Sequence, residues 1–149
     1  IRYKDLFDSE EKITQEGLEN SAVRIFPSDS ILMALYGQGP TLGRVAHLRV
    51  KATVNQACAA IFPKAGYNPR YLYHYLKGQY LNVRRLARGA SQPNINALIV
   101  KDFLIPQENE DTQQVVSDRL DLFDQLHDEI DKHIDHSKNF TKYIINTCV

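Results

Sequence analysis

Apolar and polar positions alternate in short blocks over the first two thirds of the chain and then settle into one long helical repeat. Residues 1–20 are polar and mixed, with Ile1-Arg2-Tyr3 reading as a strand end and Thr14-Gln15-Glu16-Gly17 as a loop. Ala22 to Pro27 and Ile31 to Tyr36 read as two short strands joined by the turn residues Ser28-Asp29-Ser30. Gly37-Gln38-Gly39-Pro40 interrupts regular structure, and Arg44 to Val50 resumes as a strand. Val54 to Phe62 is apolar and stopped by Pro63. Its period does not separate buried strand from buried helix, and its β-branched ends favour strand. Asn68 then offers a helix N-cap with Pro69 at the first helical position, where a missing N–H costs nothing. Tyr71, Leu72, Tyr75 and Leu76 share one face of that helix, which Gly78 ends or interrupts. Tyr80 to Arg88 continues with a helical period carried by Leu81 and Leu86, and Ile95 to Ile105 reads as a strand region closed by Pro106.

From Asp111 to about Ile134 the pattern is unbroken helix. Val116, Leu120, Phe123, His127, Ile130 and Ile134 follow alternating steps of four and three, a heptad seam that Val115, Leu122 and Leu126 broaden. Asp and Glu occupy the other faces. One coiled-coil strand cannot bury such a seam, so the helix calls for a partner from another copy or subunit; packing back on its own domain is the alternative. The expected fold class is α+β. A domain of short strands and helices over residues 1–107 is followed by a long coiled-coil-forming helix within 108–149.

Charge sharpens this division. Lys plus Arg and Asp plus Glu both number 18, yet residues 30–101 contain no Asp or Glu at all. That stretch carries Arg44, Arg49, Lys51, Lys64, Arg70, Lys77, Arg84, Arg85, Arg88 and Lys101. The flanking segments hold every acid of the chain. A basic body of this size attracts a polyanion, because phosphate contacts release condensed counterions. The competing reading is a basic body that neutralises its own acidic helix within the fold or a dimer.

Signals for catalysis are weak. Asp5, Asp8, Glu10 and Glu11 cluster in a polar stretch that reads as solvated loop, and the basic body has no carboxylates to bind a nuclease metal. His133 and His136 lack the His-Glu-x-x-His arrangement of a metalloprotease helix, and the glycines near Gly37 lack the Lys-Ser/Thr of a phosphate-binding loop. Cys58 and Cys148 show no disulfide framework; Cys58 reads as an unpaired buried thiol, which favours the cytoplasm. No apolar run approaches the roughly 20 residues that cross a bilayer. Neither a catalytic residue, nor a metal, nor a cofactor is therefore assigned.

Two segments combine flexible backbone, basic side chains and amides suited to base edges. The first holds Tyr36, Gly37, Gln38, Thr41 and Arg44; the second holds Arg84, Arg85, Arg88, Ser91, Gln92 and Asn94. Gln and Asn pair with adenine and Arg with guanine in the major groove, while Arg, Ser and backbone N–H groups hold phosphate. For Asn94, a turn-capping role weighs equally with base contact, while for Arg84, Arg85 and Arg88 phosphate contact is favoured.

At these residues the chain resembles the specificity subunit of type I restriction-modification systems. The matching stretches include Glu16-Gly17-Leu18, Asn20-Ser21-Ala22, Ile31 to Gly39, Val54-Asn55-Gln56-Ala57 and Tyr71-Leu72-Tyr73. Most specific is Gly89-Ala90-Ser91-Gln92-Pro93-Asn94-Ile95-Asn96, followed by Ile105-Pro106 and the long helix. The resemblance implies one target recognition domain, lacking its opening, followed by the spacer helix. It implies a non-catalytic subunit reading half of a bipartite site in double-stranded DNA. Implied partners are adenine methyltransferase (modification) subunits, a restriction/translocase subunit, and a second half or second copy. In this frame Val116, Leu120, Phe123, Leu126, Ile130 and Ile134 form the helix interface. The chain has room for one recognition domain where a whole subunit carries two, which fits a half-subunit that dimerises, a truncated gene product or a fragment. A lone half, if it formed a twofold dimer, would read a palindromic target.

Overall fold

A computed structural model describes residues 4–87 and 94–147. Its centre is a pair of antiparallel strands, β3 (Ile31–Ala34) and β4 (Val45–Leu48), in which all eight residues are buried. Ile31 faces His47, Leu32 faces Ala46 and Met33 faces Val45. Strands covered on both sides read as continuous apolar runs, which is why neither shows clean alternation. β1 (Asp5–Leu6) lies parallel to β4 on one edge. β6 (Cys58–Ile61) lies antiparallel to β3 on the other, completing the order β1-β4-β3-β6. A second ribbon pairs β2 (Ile25–Phe26) with β5 (Ala52–Thr53).

One face of the main sheet is covered by α2 (Pro69–Gly78), which packs on β4 and β3. Asn68 caps it as the sequence predicts, its side-chain oxygen accepting from the N–H groups of Arg70 and Tyr71. The buried face is wider than the spacing suggests, because Tyr73 is as buried as Leu72. Its ring is overlain by the Arg70 guanidinium, 4.6 Å from the centroid. The core joins Ile31, Met33, Leu72, Leu76, Val83 and Ile95. Each such side chain contributes roughly 1.5–3 kcal/mol by leaving water.

Three expectations are corrected here. Residues 14–17 are not a loop: Thr14 caps a short helix, α1 (Gln15–Glu19), by accepting from Gly17 N–H. In α3 (Tyr80–Leu86), the buried position is Val83, while Leu81 and Leu86 face solvent. The region 95–105 is not a strand. Ile95 N–H donates to the Leu35 carbonyl, after which the Asn96 side chain caps α4 (Ala97–Lys101). Residues 103–105 are then held by hydroxyls rather than by a ladder, with Tyr75 donating to the Leu104 carbonyl and Tyr67 to that of Ile105.

The long helix α5 spans Glu110–Thr147, 38 residues and so roughly 57 Å. It starts on Asn109, whose side chain accepts from Thr112 N–H, with Glu110 and Asp111 at the positive end of its dipole. It continues 13 residues past Ile134, where the heptad steps stop, because neither Gly nor Pro occurs after Pro106 to end it. The chain divides into two compact units, one up to Gln114 and one from Val115 onward. Among the described residues no helix is long and apolar enough to cross a membrane.

Within the first unit, the first turn of α5 is fastened by Gln113, which is fully buried. Its amide donates to the carbonyls of Gly66 and Glu108, and its oxygen accepts from Asn68 N–H at 2.7 Å. Asn68 in turn donates through its side chain to Gln114. Gln113→Ala removes three hydrogen bonds from the buried Gln113 amide to backbone groups, each worth about 0.5–1.5 kcal/mol. The expected loss is at least about 2 kcal/mol in urea denaturation, with an unchanged slope.

An ionic cluster built around the buried His47 lies at the strand end of β4. His47 is 1% exposed, and its Nε2 lies 3.0 Å from Asp29 Oδ1. Arg49 Nη1 sits 3.3 Å from both Asp29 Oδ1 and His47 Nδ1. Asp5 also faces the group, 3.9 Å from His47 Nδ1 and 3.1 Å from Arg70 Nη1. Burial, and secondarily Arg49, push the His47 pKa below its ordinary value of 6.5 against the opposing pull of Asp29 and Asp5. The neutral ring is therefore the folded form, with Nε2–H donating to Asp29. The unfolded chain binds the proton more readily, so this contribution is complete above pH about 6.5 and is lost as pH falls through the lower folded value. Thermal melts from pH 7.5 to 5 should show a falling midpoint, and His47→Gln should flatten that part of the curve.

Candidate nucleic-acid interface

The sheet delivers the first candidate segment as the connection between β3 and β4. Ala34 N–H bonds the Arg44 carbonyl and Gly43 N–H bonds the Ala34 carbonyl, closing a hairpin whose loop is 36–43. Inside it, Thr41 N–H donates to the Gln38 carbonyl, making a tight turn at the tip. Two glycines are required by geometry. At Gly37 (φ +145°) a Cβ would lie 2.7 Å from Thr41 Cβ, and at Gly43 (φ +80°) one would lie 3.0 Å from Val83 Cγ1. Gln38, Arg44 and the 41%-exposed Tyr36 point their surface outward, while Thr41 is half-buried.

The second candidate segment docks on the first. The closeness of Gly43 to Val83 seats α3 against the loop. From the same face of α3, Tyr80 donates its hydroxyl to the Pro40 carbonyl at 2.9 Å. One turn later, Arg84 Nη1 donates to the carbonyls of Gly39 at 2.7 Å and Leu42 at 3.3 Å, with its guanidinium carbon 5.4 Å from the Tyr80 ring centre. Arg85, one residue on, is exposed on another face. The bond from Ile95 N–H to the Leu35 carbonyl brings exposed Asn94 beside the same loop. Arg88, Ser91 and Gln92 lie outside the described residues.

Sequence reasoning missed Tyr80, whose partner stands 40 residues earlier; no local spacing announces that contact. It also counted the basic groups as equivalent, which they are not. Arg70 and Arg49 are paired with Asp5 and Asp29. Among the described residues, Arg44 and Arg85 meet no carboxylate. The candidate surface is thus cationic at Arg44 and Arg85 and neutral-polar at Gln38 and Asn94, a mixture of the kinds of group that contact phosphate and base edges.

Cys58 is free and half-buried, and burial pushes its thiol pKa up, so it is not an activated nucleophile. Along α5, Leu120, Phe123, Leu126, Ile130 and Ile134 are exposed, while Val116 is half-buried. Beyond the expected seam, Phe140, Tyr143 and Ile144 are exposed as well.

The chain matches the family model described as the type I restriction modification DNA specificity domain over residues 2–136. It is 32% identical over 127 residues to the type I restriction enzyme EcoR124I/EcoR124II specificity subunit of Escherichia coli, covering 82% of this chain and 31% of the relative. It is 29% identical over 119 residues to the MjaIX specificity subunit of Methanocaldococcus jannaschii, covering 78% of this chain and 27% of the relative. The chain thus spans about a third of the length of the curated relatives it matches. A solved chain from work on complex assembly and conformational transition of the type I R-M system superposes with a TM-score of 0.59 at 14% identity. That superposition covers 69% of this chain and 25% of the other, and the likeness concerns the fold. With nine tenths of its residues inside the family match, the chain belongs to the type I restriction-modification DNA specificity domain family.

Proposed function

We propose that this chain reads one part of a bipartite target in double-stranded DNA, within a type I restriction-modification assembly, and performs no catalytic step itself. The observation that carries the reading is the joining of two distant sequence segments into one surface. The β3–β4 loop and α3 meet there, and Arg44 and Arg85 project from a stretch of 72 residues without a carboxylate. Arg44, Arg85 and the neighbouring Arg88 serve phosphates, while Tyr36, Gln38, Thr41, Ser91, Gln92 and Asn94 are the candidates for base edges. No cofactor is required for such readout, and the work is done in the cytoplasm, where the DNA is.

The exposed seam of α5 supports a second part of the reading. A helix of this length with Phe123 67% exposed calls for a facing helix. We assign that role to a second copy or a second recognition half, with the same helix docking adenine methyltransferase subunits and, through them, a restriction/translocase subunit. Two paired helices would set a fixed distance between two half-sites, as dimeric DNA readers do.

A structural reading competes on one observation: Arg49 and Arg70 are engaged by Asp5 and Asp29, so part of the basic body does serve the fold. Selection from a randomised duplex pool, followed by fluorescence anisotropy with the methyltransferase partner present, separates the two. Specific recognition predicts an enriched motif, a penalty of about 1–3 kcal/mol for each changed base pair, and affinity falling steeply with salt. Arg44→Ala combined with Arg85→Ala should weaken DNA binding and leave assembly intact. Absence of any preferred duplex, with assembly lost in the double variant, would establish the structural module instead.

A further inference from the structure

Arg84 and Arg85 are adjacent in sequence and identical in charge, yet the fold uses them differently. Arg85 is exposed and has no carboxylate partner among the described residues. Arg84 is half-buried and turned onto the β3–β4 loop, where one guanidinium nitrogen reaches two carbonyls, Gly39 at 2.7 Å and Leu42 at 3.3 Å. The Tyr80 hydroxyl takes the carbonyl between them, that of Pro40, at 2.9 Å. Tyr80 and Arg84 are four residues apart on a helix and therefore share a face. Their side chains also meet, the guanidinium carbon lying 5.4 Å from the ring centre, an arrangement that restrains both.

We infer that Arg84 and Tyr80 form a clamp that sets the conformation of the glycine loop, and that Arg84 is a positioning residue for target specificity rather than a phosphate contact. The inference rests on the DNA-reading proposal above and refines it. Gly37 and Gly39 at positive φ give the loop conformational freedom, so by itself its tip would sample many shapes. Base discrimination needs the reading groups held to within a fraction of an ångström. Between Gly37 and Gly43, the carbonyls of residues 39, 40 and 42 are all held from α3, which leaves Gln38 on a tip of defined geometry. A guanidinium donating to backbone carbonyls has fewer N–H groups left for a phosphate, and its half-burial keeps the charge from tracking the DNA backbone.

The two roles give opposite signatures in the same binding measurement. A phosphate contact weakens all duplexes alike and lowers the salt slope by about one when removed. A positioning residue lowers the ratio of selected to randomised duplex affinity and leaves the slope unchanged. The experiment compares wild type, Arg84→Ala, Arg85→Ala and Tyr80→Phe, each as the full chain with its methyltransferase partner, on the selected and randomised duplexes across a salt series. The expectation for Arg84→Ala is a loss of at least about 10-fold in discrimination at constant slope. Tyr80→Phe, which removes only a hydroxyl and keeps the helix, should lose discrimination in the same direction. Arg85→Ala should lower affinity for both duplexes and the slope with it.

If Arg84→Ala lowers the slope by about one and preserves discrimination, the clamp is wrong and the DNA-reading proposal stands. If Arg84→Ala fails to fold, Tyr80→Phe decides: retained wild-type discrimination overturns the clamp and lost discrimination supports it. A wild-type protein with no preference among duplexes overturns the DNA-reading proposal itself, and the clamp falls with it.

Discussion

The structure depends on the antiparallel ladder between β3 and β4, because those two strands are buried on both faces and everything else is arranged around their ends. A ladder with no solvent face accepts polar side chains only where they are paired. His47 is the exception among the eight residues, and it is paired through Nε2 to Asp29. Asp29 itself sits at φ +66°, a left-handed position that Asp tolerates better than most, and its N–H bonds the Leu48 carbonyl. At the other end the strands open into the glycine loop. The same ladder therefore terminates in an ionic knot on one side and in a surface of backbone carbonyls and amides on the other.

This division explains how one basic stretch serves two purposes. Arg49 and Arg70 lie near the knot end, where Asp5 and Asp29, contributed by the acidic opening of the chain, neutralise them. Arg44 and Arg85 lie near the loop end, away from those carboxylates. Charge counted along the sequence is blind to this, since Arg44 and Arg49 are five residues apart. Alternation and strand direction put them at opposite ends of β4.

Gln113 applies a similar economy to the start of the long helix. The first unit ends with a fully buried amide that satisfies carbonyls at Gly66 and Glu108 and the N–H of Asn68. Asn68 simultaneously caps α2. Two helix starts, α2 and α5, are thereby tied to each other through backbone groups that each helix terminus would otherwise leave unsatisfied. An apolar residue at position 113 would fill the space but lose those three bonds.

By itself, the amino-acid sequence determined the elements whose signals are local. These are the Asn68-Pro69 helix start, the breaks at Gly37 to Pro40, the short strands around Ile31 and Val45, and the long acidic helix with its seam. It also carried the family, through the ordered runs ending in Gly-Ala-Ser-Gln-Pro-Asn-Ile-Asn. Tertiary structure decided what depends on distant partners. Ile95 to Ile105 has strand-forming composition, but it makes one backbone bond to Leu35 and no ladder, because the Asn96 cap makes a helix available at once. Val83 rather than Leu81 or Leu86 became the buried residue of α3 because Gly43 leaves room for it, and nothing near residue 83 in sequence reveals that. Likewise, no spacing rule tells Arg84 from Arg85. A turn of 100° about the helix axis aims one at the carbonyls of a loop some 40 residues away and the other at solvent.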